Sequence, residues 1–465
     1  MLDNPLNILA PNYDMAHTSF FFIFLLTHFL FYSSPTTSAF FPTNHIPPCH
    51  DHEKSALLQF KDSFSIDEYC DQKFEGWNQA SDCCLWDGIE CEDVSGHVIS
   101  LDLTSSCLSG SINSSSSLFQ LLHLRSLNLA DNDFNRSSIP SALGHLLPNL
   151  THLNLSNSAF SGPIPSSISN LSKLSSLDLS RNVGLEVKTN SDFETLIKKL
   201  HSLQVLHFDY VDMSSIVPND ILANSSSLVS LSLVDCNLQG EFPTRIFQLP
   251  KLEVLLLDYN PKLIGHLPEF HSSSRLTRLS VLYCNLSGHV PSSLQNLTQL
   301  VYLNLGNNHF GVQDTSSLSW MGHLAKLTYL SLRNSTLSGE FPSSFANLTK
   351  LSVLNLSWNQ LTGPMPTWLG NLTQLIAFGV SDNELQGMVP ASLSELRKLE
   401  VLDLSYNKLS GYEFRELQKL YNLDLSGNFL SLNAKTNLNA TFPELKVLAV
   451  RGYTNEPVFG SLLLD

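Results

Sequence analysis

The sequence predicts a right-handed α/β solenoid with a disulfide-stapled cap at its N-terminal end. Three observations predict this fold: one leucine-containing pattern recurs along most of the 465 residues, the commonest step between copies is 24 residues, and six of the eight cysteines lie around the start of the array. A unit this short cannot bury its apolar face alone, so stacked neighbours must complete one continuous core. We therefore expect one elongated array.

The recurring pattern is LxxLxLxxN followed by xLSGxIP, and it is most complete in Leu351 to Pro366. A period of 20 to 29 residues with this pattern is the signature of a leucine-rich repeat. Taking the first leucine of each LxL as the marker gives Leu101, Leu127, Leu153, Leu177, Leu206, Leu231, Leu255, Leu279, Leu303, Leu330, Leu354, Phe378, Leu402, Leu423 and Leu448.

Each part of the repeat has a physical role. The two leucines of LxL point to the core face of a strand, and the residue between them points outward. The asparagine that follows is expected to satisfy backbone groups of the turning chain inside the solenoid. Gly and Pro then mark the return to the next strand. The ladder asparagines are Asn132, Asn308, Asn359, Asn383, Asn407 and Asn428.

One irregular stretch lies between Leu179 and Leu206, where successive markers are 29 residues apart. Ser191 and Glu194 form the signature of a capping box, which predicts a short helix beginning there. We interpret this stretch as a longer return on the convex side.

The acidic charge excludes one class of partner. The net charge is -16 and no Lys/Arg cluster is available to neutralise a phosphate backbone, which argues against nucleic acid and anionic membrane surfaces.

The N-terminal segment predicts secretion. Phe20 to Tyr32 is apolar, and small and polar residues follow up to Ala39, as in a cleaved signal peptide. Its n-region has no Lys or Arg, and translation from Met15 would give a more usual length. The run is shorter than a membrane span requires.

The cysteine cluster around the start of the array consists of Cys49, Cys70, Cys83, Cys84, Cys91 and Cys107. In a secreted chain such a cluster predicts disulfides that staple the terminal cap. The segments Cys49 to Lys61 (CHDHEKSALLQFK) and Cys83 to Cys91 (CCLWDGIEC), with Trp77, resemble the plant-type leucine-rich-repeat N-terminal domain. From Cys49 to about Val450 the chain is similar to the N-terminal portion of the ectodomain of plant receptor-like proteins that confer pathogen resistance.

This resemblance implies the disulfides Cys49–Cys83 and Cys84–Cys91, and it leaves the pairing of Cys70 and Cys107 open. Cys236 and Cys284 occupy ladder positions two repeats apart. At a strand spacing of about 4.8 Å they lie beyond disulfide reach, so buried free thiols are expected.

Thirteen N-x-S/T sequons favour glycosylation in the secretory pathway. They begin at Asn113, Asn135, Asn149, Asn154, Asn170, Asn224, Asn285, Asn296, Asn334, Asn347, Asn355, Asn371 and Asn439. Glycans at Asn154 and Asn355, which lie between the leucines of LxL, would block the concave face locally.

One column of residues just before the ladder position is predicted to be exposed, and its aromatic members cluster unevenly. The candidate ligand-binding residues are Tyr210, Asp235, Asp258, Tyr259 and Tyr283, which would form an acidic, tyrosine-rich patch on consecutive repeats. Tyrosines with polar neighbours suit a recognition surface, although variable exposed positions also tolerate aromatics.

No catalytic, metal or cofactor motif occurs, so we expect a binding protein rather than an enzyme. Asp403 and Asp424 on adjacent strands have the separation that a retaining glycosidase needs. Both lie in the common LDLS form, however, and are interpreted as structural. His201 and His207 lack metal-binding partners at a recognised spacing.

The expected organisation is a signal peptide over 1–39, a cap over 40–97 and about fifteen repeats over 98–465, the last incomplete and without a C-terminal cap. The resemblance implies recognition of a peptide or protein by a kinase-lacking receptor that signals in defence through partner receptor kinases. It implies the extracellular face of the plasma membrane if the full-length protein supplies a membrane segment absent here, and otherwise the apoplast. The alternatives are a secreted protein similar to polygalacturonase inhibitors and a truncated decoy.

Overall fold

A computed structural model describes residues 47–66, 73–217, 222–412, 417–429 and 443–449. The predicted signal peptide, Cys70 and Asn439 lie outside these residues. Among the described residues, no helix combines the length and apolar character needed to cross a membrane.

The fold is a solenoid built on one 16-stranded sheet. Its first two strands are antiparallel and the following strands pair in parallel. The strands are Ile89–Cys91, Val98–Asp102, Ser126–Asn128, His152–Asn154, Ser176–Asp178, Val205–His207, Ser230–Ser232, Val254–Leu256, Arg278–Ser280, Tyr302–Asn304, Tyr329–Ser331, Val353–Asn355, Ala377–Gly379, Val401–Asp403, Asn422–Asp424 and Val447–Ala449. Each predicted marker pairs with the marker of the next repeat, which confirms the repeat register.

The leucines of each repeat stack into one core. Leu101, Leu127, Leu206 and Leu303, for example, are fully buried. The cost of burying the turning backbone is offset by the asparagine ladder. Asn260 shows the pattern: its Nδ2 donates to the carbonyls of three residues at 2.8 to 3.2 Å, and its Oδ1 accepts two backbone N–H groups of the preceding repeat. The six predicted ladder asparagines are likewise buried.

The two cysteines at ladder positions are free and buried, as expected. The Cys236 thiol donates to the carbonyl of Phe208 at 3.1 Å, and the Cys284 thiol donates to that of Leu257 at 3.2 Å. A thiol thus replaces part of the asparagine's hydrogen bonding.

Small sheets and short helices form the rest of each repeat. Their strands are Ser65–Ile66, Leu108–Ser109, Ser161–Pro163, Gly184–Glu186, Gln239–Glu241, Lys262–His266, Asn285–Gly288, His309–Phe310, Gln313–Asp314, Leu337–Gly339, Gln360–Leu361, Gln386–Val389 and Lys408–Tyr412. The 3-10 helices are Cys83–Leu85, Ser117–Gln120, Ser166–Asn170, Leu222–Asn224, Thr244–Gln248, Ser292–Asn296, Thr315–His323, Ser343–Asn347, Thr367–Asn371 and Ala391–Glu395. The α-helices are α1 (Asp51–Lys61), α2 (Ala142–Leu146) and α3 (Asn190–Lys199).

Helix α3 confirms the helix predicted in the irregular stretch, but the predicted cap was wrong by two residues. The N-cap is Thr189, whose hydroxyl accepts the backbone N–H of Asp192 at 3.1 Å and bonds its carboxylate. Ser191 lies inside the helix, and Glu194 pairs with Lys198 at 3.0 Å. Thr189 has the extended backbone that an N-cap requires, and this is the physical reason for the shift.

The N-terminal cap seals the first repeat of the array. Helix α1 buries Ala56, Leu57 and Phe60. Its fully buried Glu53 accepts the backbone N–H of Val98 at 3.1 Å, which ties the cap to the first parallel strand.

Disulfide bonds join residues of this cap. The structure joins Cys49 to Cys83 and Cys84 to Cys91. Cys107 is also disulfide-bonded. Among the described residues, Cys49, Asp82, Cys83 and Cys84 are grouped closely enough to hold a metal ion, but their sulfurs are in disulfides and offer no thiolate.

Candidate ligand-binding surface

The side of the main sheet that faces away from the leucines, together with the turns that follow its strands, forms the surface that we call the open face. Residues between the leucines of LxL lie on it, as expected, but many are not exposed. His207, Ser232, Asn304 and Ser331 are at most 9% exposed. These side chains therefore lie on the outward face of the sheet but contribute little to its accessible surface.

The predicted column borders this face and shares one unusual backbone conformation. Its twelve members have φ between 47° and 65°, the left-handed region. They are Asp131, Asn157, Arg181, Tyr210, Asp235, Tyr259, Tyr283, Asn307, Asn334, Trp358, Asp382 and Tyr406. This conformation turns the chain sharply after the strand, and we call this column the rim.

The structure brings two of the predicted tyrosines together. The rings of Tyr259 and Tyr283 are 6.0 Å apart and tilted by 42°. Tyr283 is 51% exposed, whereas Tyr210 and Tyr259 are half-buried. Burial, followed by the charge of Asp235, raises the pKa of Tyr210.

Asp258 does not belong to an exposed acidic patch, and this prediction requires correction. Its side chain is 1% exposed and accepts the backbone N–H of Leu282 at 2.7 Å. Burial raises the pKa of Asp258 to about 7. The carboxyl group therefore supports the turn of the next repeat and cannot touch a ligand in this conformation. Asp235 is half-buried in the predicted column.

Sequence reasoning missed a second group of residues on the open face. The guanidinium of Arg278 lies 4.7 Å from the ring centroid of Tyr302, and Tyr302 stacks on Tyr329 at 4.2 Å. All three occupy the position before the first leucine of LxL and are paired in register on successive strands. Reading that position as a column would have revealed them.

Arg333 and Trp358 extend this group. The guanidinium of Arg333 lies 5.3 Å from the Trp358 ring, and the indole is 48% exposed. We call the surface that these aromatic and arginine side chains form together the aromatic–arginine surface. Its members are Tyr259, Tyr283, Arg278, Tyr302, Tyr329, Arg333 and Trp358. Aromatic and arginine side chains are the residue types enriched where proteins bind proteins and peptides.

His207 contacts groups that resemble a hydrolytic triad. Its Nε2 is 2.8 Å from the Ser230 hydroxyl, and its Nδ1 is 3.7 Å from Asp178. Burial alone would lower the pKa of His207, but Asp178 and Asp209 outweigh it and raise the pKa. A raised pKa leaves a larger share of the imidazole protonated, and a protonated imidazole cannot accept the Ser230 proton. This cluster therefore suits an ionic support of the sheet.

Asp403 and Asp424 also hold the backbone. They pair across adjacent strands, and each accepts the backbone N–H of the residue two positions on, at 3.1 and 2.9 Å. The same bond is made by Asp178 with Ser180. This shared geometry supports their interpretation as structural aspartates.

The sequons differ in accessibility. Asn149, Asn154 and Asn296 are half-buried, and the side chain of Asn355 is 4% exposed and accepts the backbone N–H of Ser357 at 3.0 Å. A glycan at Asn355 would require this side chain to leave its place, so the sequence motif is a poor guide there. The exposed sequons are Asn113, Asn135, Asn170, Asn224, Asn285, Asn334, Asn347 and Asn371.

Family models match the cap and the array separately. The leucine rich repeat N-terminal domain matches residues 50–92. Leucine-rich-repeat models match residues 373–430 and five single repeats, at 123–146, 149–171, 275–297, 326–348 and 350–372.

Two relatives are plant proteins. The chain is 38% identical over 266 residues to Receptor-like protein 6 of Arabidopsis thaliana, a match that covers 53% of this chain and 27% of the relative. It is 39% identical over 229 residues to the Receptor-like protein Cf-9 homolog of Solanum lycopersicum, covering 46% of this chain and 26% of the relative. The matches thus span about a quarter of the length of these relatives.

Solved structures of plant receptors share the fold. The PEPR1–AtPEP1 structure aligns with a TM-score of 0.62 and 29% identity over 87% of this chain and 59% of that one. The plant peptide hormone receptor RGFR1 in complex with RGF2 aligns with a TM-score of 0.57 and 25% identity, covering 74% of this chain and 61% of that one. The cap and the repeats are thus those of leucine-rich-repeat proteins, and over about half of its length the chain is similar to plant receptor-like proteins.

Proposed function

We propose that this chain recognises an extracellular peptide or protein through the aromatic–arginine surface, without catalysing a reaction. The observation that carries the proposal is the group of tyrosine, tryptophan and arginine side chains gathered on neighbouring repeats of the open face. The structure of RGFR1, titled as a peptide hormone receptor with its ligand, supports a peptide as the class of ligand.

We further propose a role in defence signalling through partner receptor kinases, in the secretory pathway and at the cell exterior. The sequence identity with plant receptor-like proteins supports the proposed role, and the disulfides of the cap support the proposed location outside the cell. The proposed division remains a leader over 1–39, a cap over 40–97 and an array from 98 onward. An inhibitor of a basic secreted enzyme is less well supported, because burial of Asp258 removes one of the acidic groups on which that alternative depends.

The test begins with the secreted, glycosylated chain immobilised as bait. Candidate pathogen proteins, secreted plant peptides and polygalacturonases are screened for binding by biolayer interferometry. A saturable interaction with a peptide or a non-enzyme protein supports the receptor proposal. Inhibition of a polygalacturonase with matching affinity would support the inhibitor alternative instead.

The double variant Tyr259→Asn/Tyr283→Asn then tests the surface. Asparagine is chosen because Asn157, Asn307 and Asn334 already occupy this left-handed position, so the backbone is preserved. We expect the affinity for the identified ligand to fall at least about tenfold, as for central aromatic residues of an interface. Tyr406→Asn is the matched control. Tyr406 has the same left-handed backbone as Tyr283 and a similar exposure of 55%, but it lies five strands away from Tyr283 along the sheet. Equal binding by all three proteins would contradict this surface as the site.

A further inference from the structure

Two arginines of the open face are stacked on aromatic rings rather than paired with acids. Arg278 lies over Tyr302 and Arg333 lies over Trp358. Both side chains are half-buried. In the part of the chain that the structure describes, neither guanidinium forms an ion pair with a carboxylate, whereas Arg125 does so with Glu92 at 2.5 Å.

In this arrangement, each half-buried guanidinium lacks an anion that would compensate for its lost hydration. A guanidinium that loses water without gaining an anion loses part of its hydration free energy, and a ring face restores only a fraction of it. Burial accordingly lowers the pKa of Arg278 and of Arg333. Stacking holds the plane of the guanidinium and leaves its in-plane N–H groups available to a planar acid.

Nearby carboxyl groups do not complete the sites. Asp258 is the carboxyl group whose charge acts on Arg278, but it is buried behind the surface and bonded to Leu282. Asp382 and Asp403 act on Arg333 through their charge without contacting it. Among the described residues, carboxylates therefore act on the two cations from a distance, and none pairs with either guanidinium.

We propose that the ligand of this surface carries two acidic groups, one that pairs with Arg278 and one that pairs with Arg333. This inference rests on the proposed function, which it extends by naming the chemistry of the ligand. Within the aromatic–arginine surface, Arg278 and Arg333 are the two basic side chains that can attract an acidic ligand. The pair of arginines would therefore set the register of the ligand on the sheet.

Sheet geometry sets the spacing of the acids. Arg278, Tyr302 and Tyr329 are in register on three successive strands, and Arg333 follows Tyr329 by four residues. With strands about 4.8 Å apart and about 3.3 Å per residue, the two arginine backbones are separated by roughly 16 Å on the diagonal. An extended peptide spans this distance in about five residues.

Site-specific protection from arginine modification tests the proposal without the natural ligand. The secreted protein is treated with phenylglyoxal, and modification of each arginine is followed by peptide mass spectrometry. The probe is acetyl-Asp-Gly-Gly-Gly-Gly-Asp-amide at millimolar concentration, and the same peptide with Asn in place of both Asp is the control. A third peptide, acetyl-Asn-Gly-Gly-Gly-Gly-Gly with a free carboxyl terminus, distinguishes a chain-end carboxylate from a side chain.

We expect the two-Asp peptide to slow modification of Arg278 and Arg333 at least about threefold, with no effect on the exposed Arg275. Protection of one of the two arginines by the third peptide would assign that pairing to a chain-end carboxylate and would support the proposal, whereas equal protection of both by this one-acid peptide would contradict it. Equal protection by the Asn peptide, or no protection at either arginine, would overturn the proposal. Because Asn334 is an exposed sequon next to Arg333, the measurement is repeated after endoglycosidase trimming, and absence of protection before and after trimming overturns it.

Variants separate this role from a structural one. Arg278→Gln and Arg333→Gln should leave the melting temperature unchanged or raised, because each removes a desolvated cation, and Arg275→Gln is the control. A fall of several degrees in the melting temperature would show that the arginines stabilise the fold and would contradict the proposal. Once a ligand is identified, loss of binding in Tyr259→Asn/Tyr283→Asn but full binding in both arginine variants would sink this inference and leave the proposed function standing.

Discussion

Individual residues of the rim column adopt a conformation that their side chains disfavour. Left-handed backbone suits Asn and Asp, yet Tyr210, Tyr259, Tyr283, Trp358 and Tyr406 hold it with φ between 52° and 65°. Each such residue costs on the order of 1 kcal/mol relative to one that tolerates the conformation. Tyr283, Trp358 and Tyr406 are about half exposed, so core packing does not explain their presence. For Tyr283 and Trp358, this exposure is consistent with the proposed aromatic–arginine surface.

Burial of Asp258 makes the stability of the protein depend on pH. Its pKa is about 7 in the folded protein against an ordinary value of 3.8, so the native state retains a proton that the unfolded chain releases. The contribution of Asp258 to the free energy of unfolding therefore falls as pH rises from about 4 to about 7. A shift of this size corresponds to at most about 4 kcal/mol.

We expect Asp258→Asn to remove this decline, so that the variant gains stability relative to the parent as pH rises. Melting temperatures measured from pH 4 to pH 8 check the prediction. Asp131→Asn, at a half-buried rim position, is the control and should follow the parent. Parallel curves for Asp258→Asn and the parent would contradict it.

Among the elements, helix α3 was predicted correctly as a helix, but its N-cap lies two residues before the predicted one. Phe193, Leu196 and Ile197 form its buried face, which stabilises a helix in this stretch. Two cap signals overlap: Ser191 with Glu194, and Thr189 with Asp192. The helix is capped by the second pair, because the Thr189 hydroxyl accepts the backbone N–H of Asp192, whereas Glu194 forms an ion pair with Lys198.

We expect Thr189→Ala to destabilise α3 by about 1 kcal/mol, because an orphan N–H of the first turn loses its acceptor. Ser191→Ala should have little effect, since Ser191 does not cap the helix and alanine favours a helix interior. Native-state hydrogen exchange of the α3 amides measures both. A larger effect at Ser191 than at Thr189 would reverse the assignment of the cap.

At the scale of the whole molecule, stability is distributed repeat by repeat along the ladder. Asparagine is replaced at some ladder positions, by Val211, Cys236 and Cys284 among others, and these three lie close to Asn260 in the array. Asn260 thus bridges a region where neighbouring ladder residues make fewer hydrogen bonds. In a solenoid, each repeat contacts only its neighbours, so damage should remain local.

We expect Asn260→Ala to destabilise this region by about 2 to 4 kcal/mol, because buried carbonyl and N–H groups lose their partners. Hydrogen exchange should accelerate at Cys236 and Leu238, whose N–H groups Asn260 accepts, while amides around Asn383 and Asn407 keep their protection. Asn307→Asp, at a half-buried rim position whose left-handed backbone also suits aspartate, is the control. Uniform acceleration along the array would show that the repeats unfold as one unit.

The sequence by itself determined the repeat register, the strands and the buried ladder, because each repeat carries the same leucine spacing and its neighbours are equivalent. The left-handed rim could also be located as a column, although its backbone conformation was not evident from residue types as bulky as Tyr and Trp. Only the tertiary structure decided which outward residues are buried and which contact each other. Asp258 is buried and bonded to the backbone of Leu282, and Arg278 lies over Tyr302, which stacks on Tyr329. Parallel stacking brings together residues some 24 positions apart whose identities vary independently.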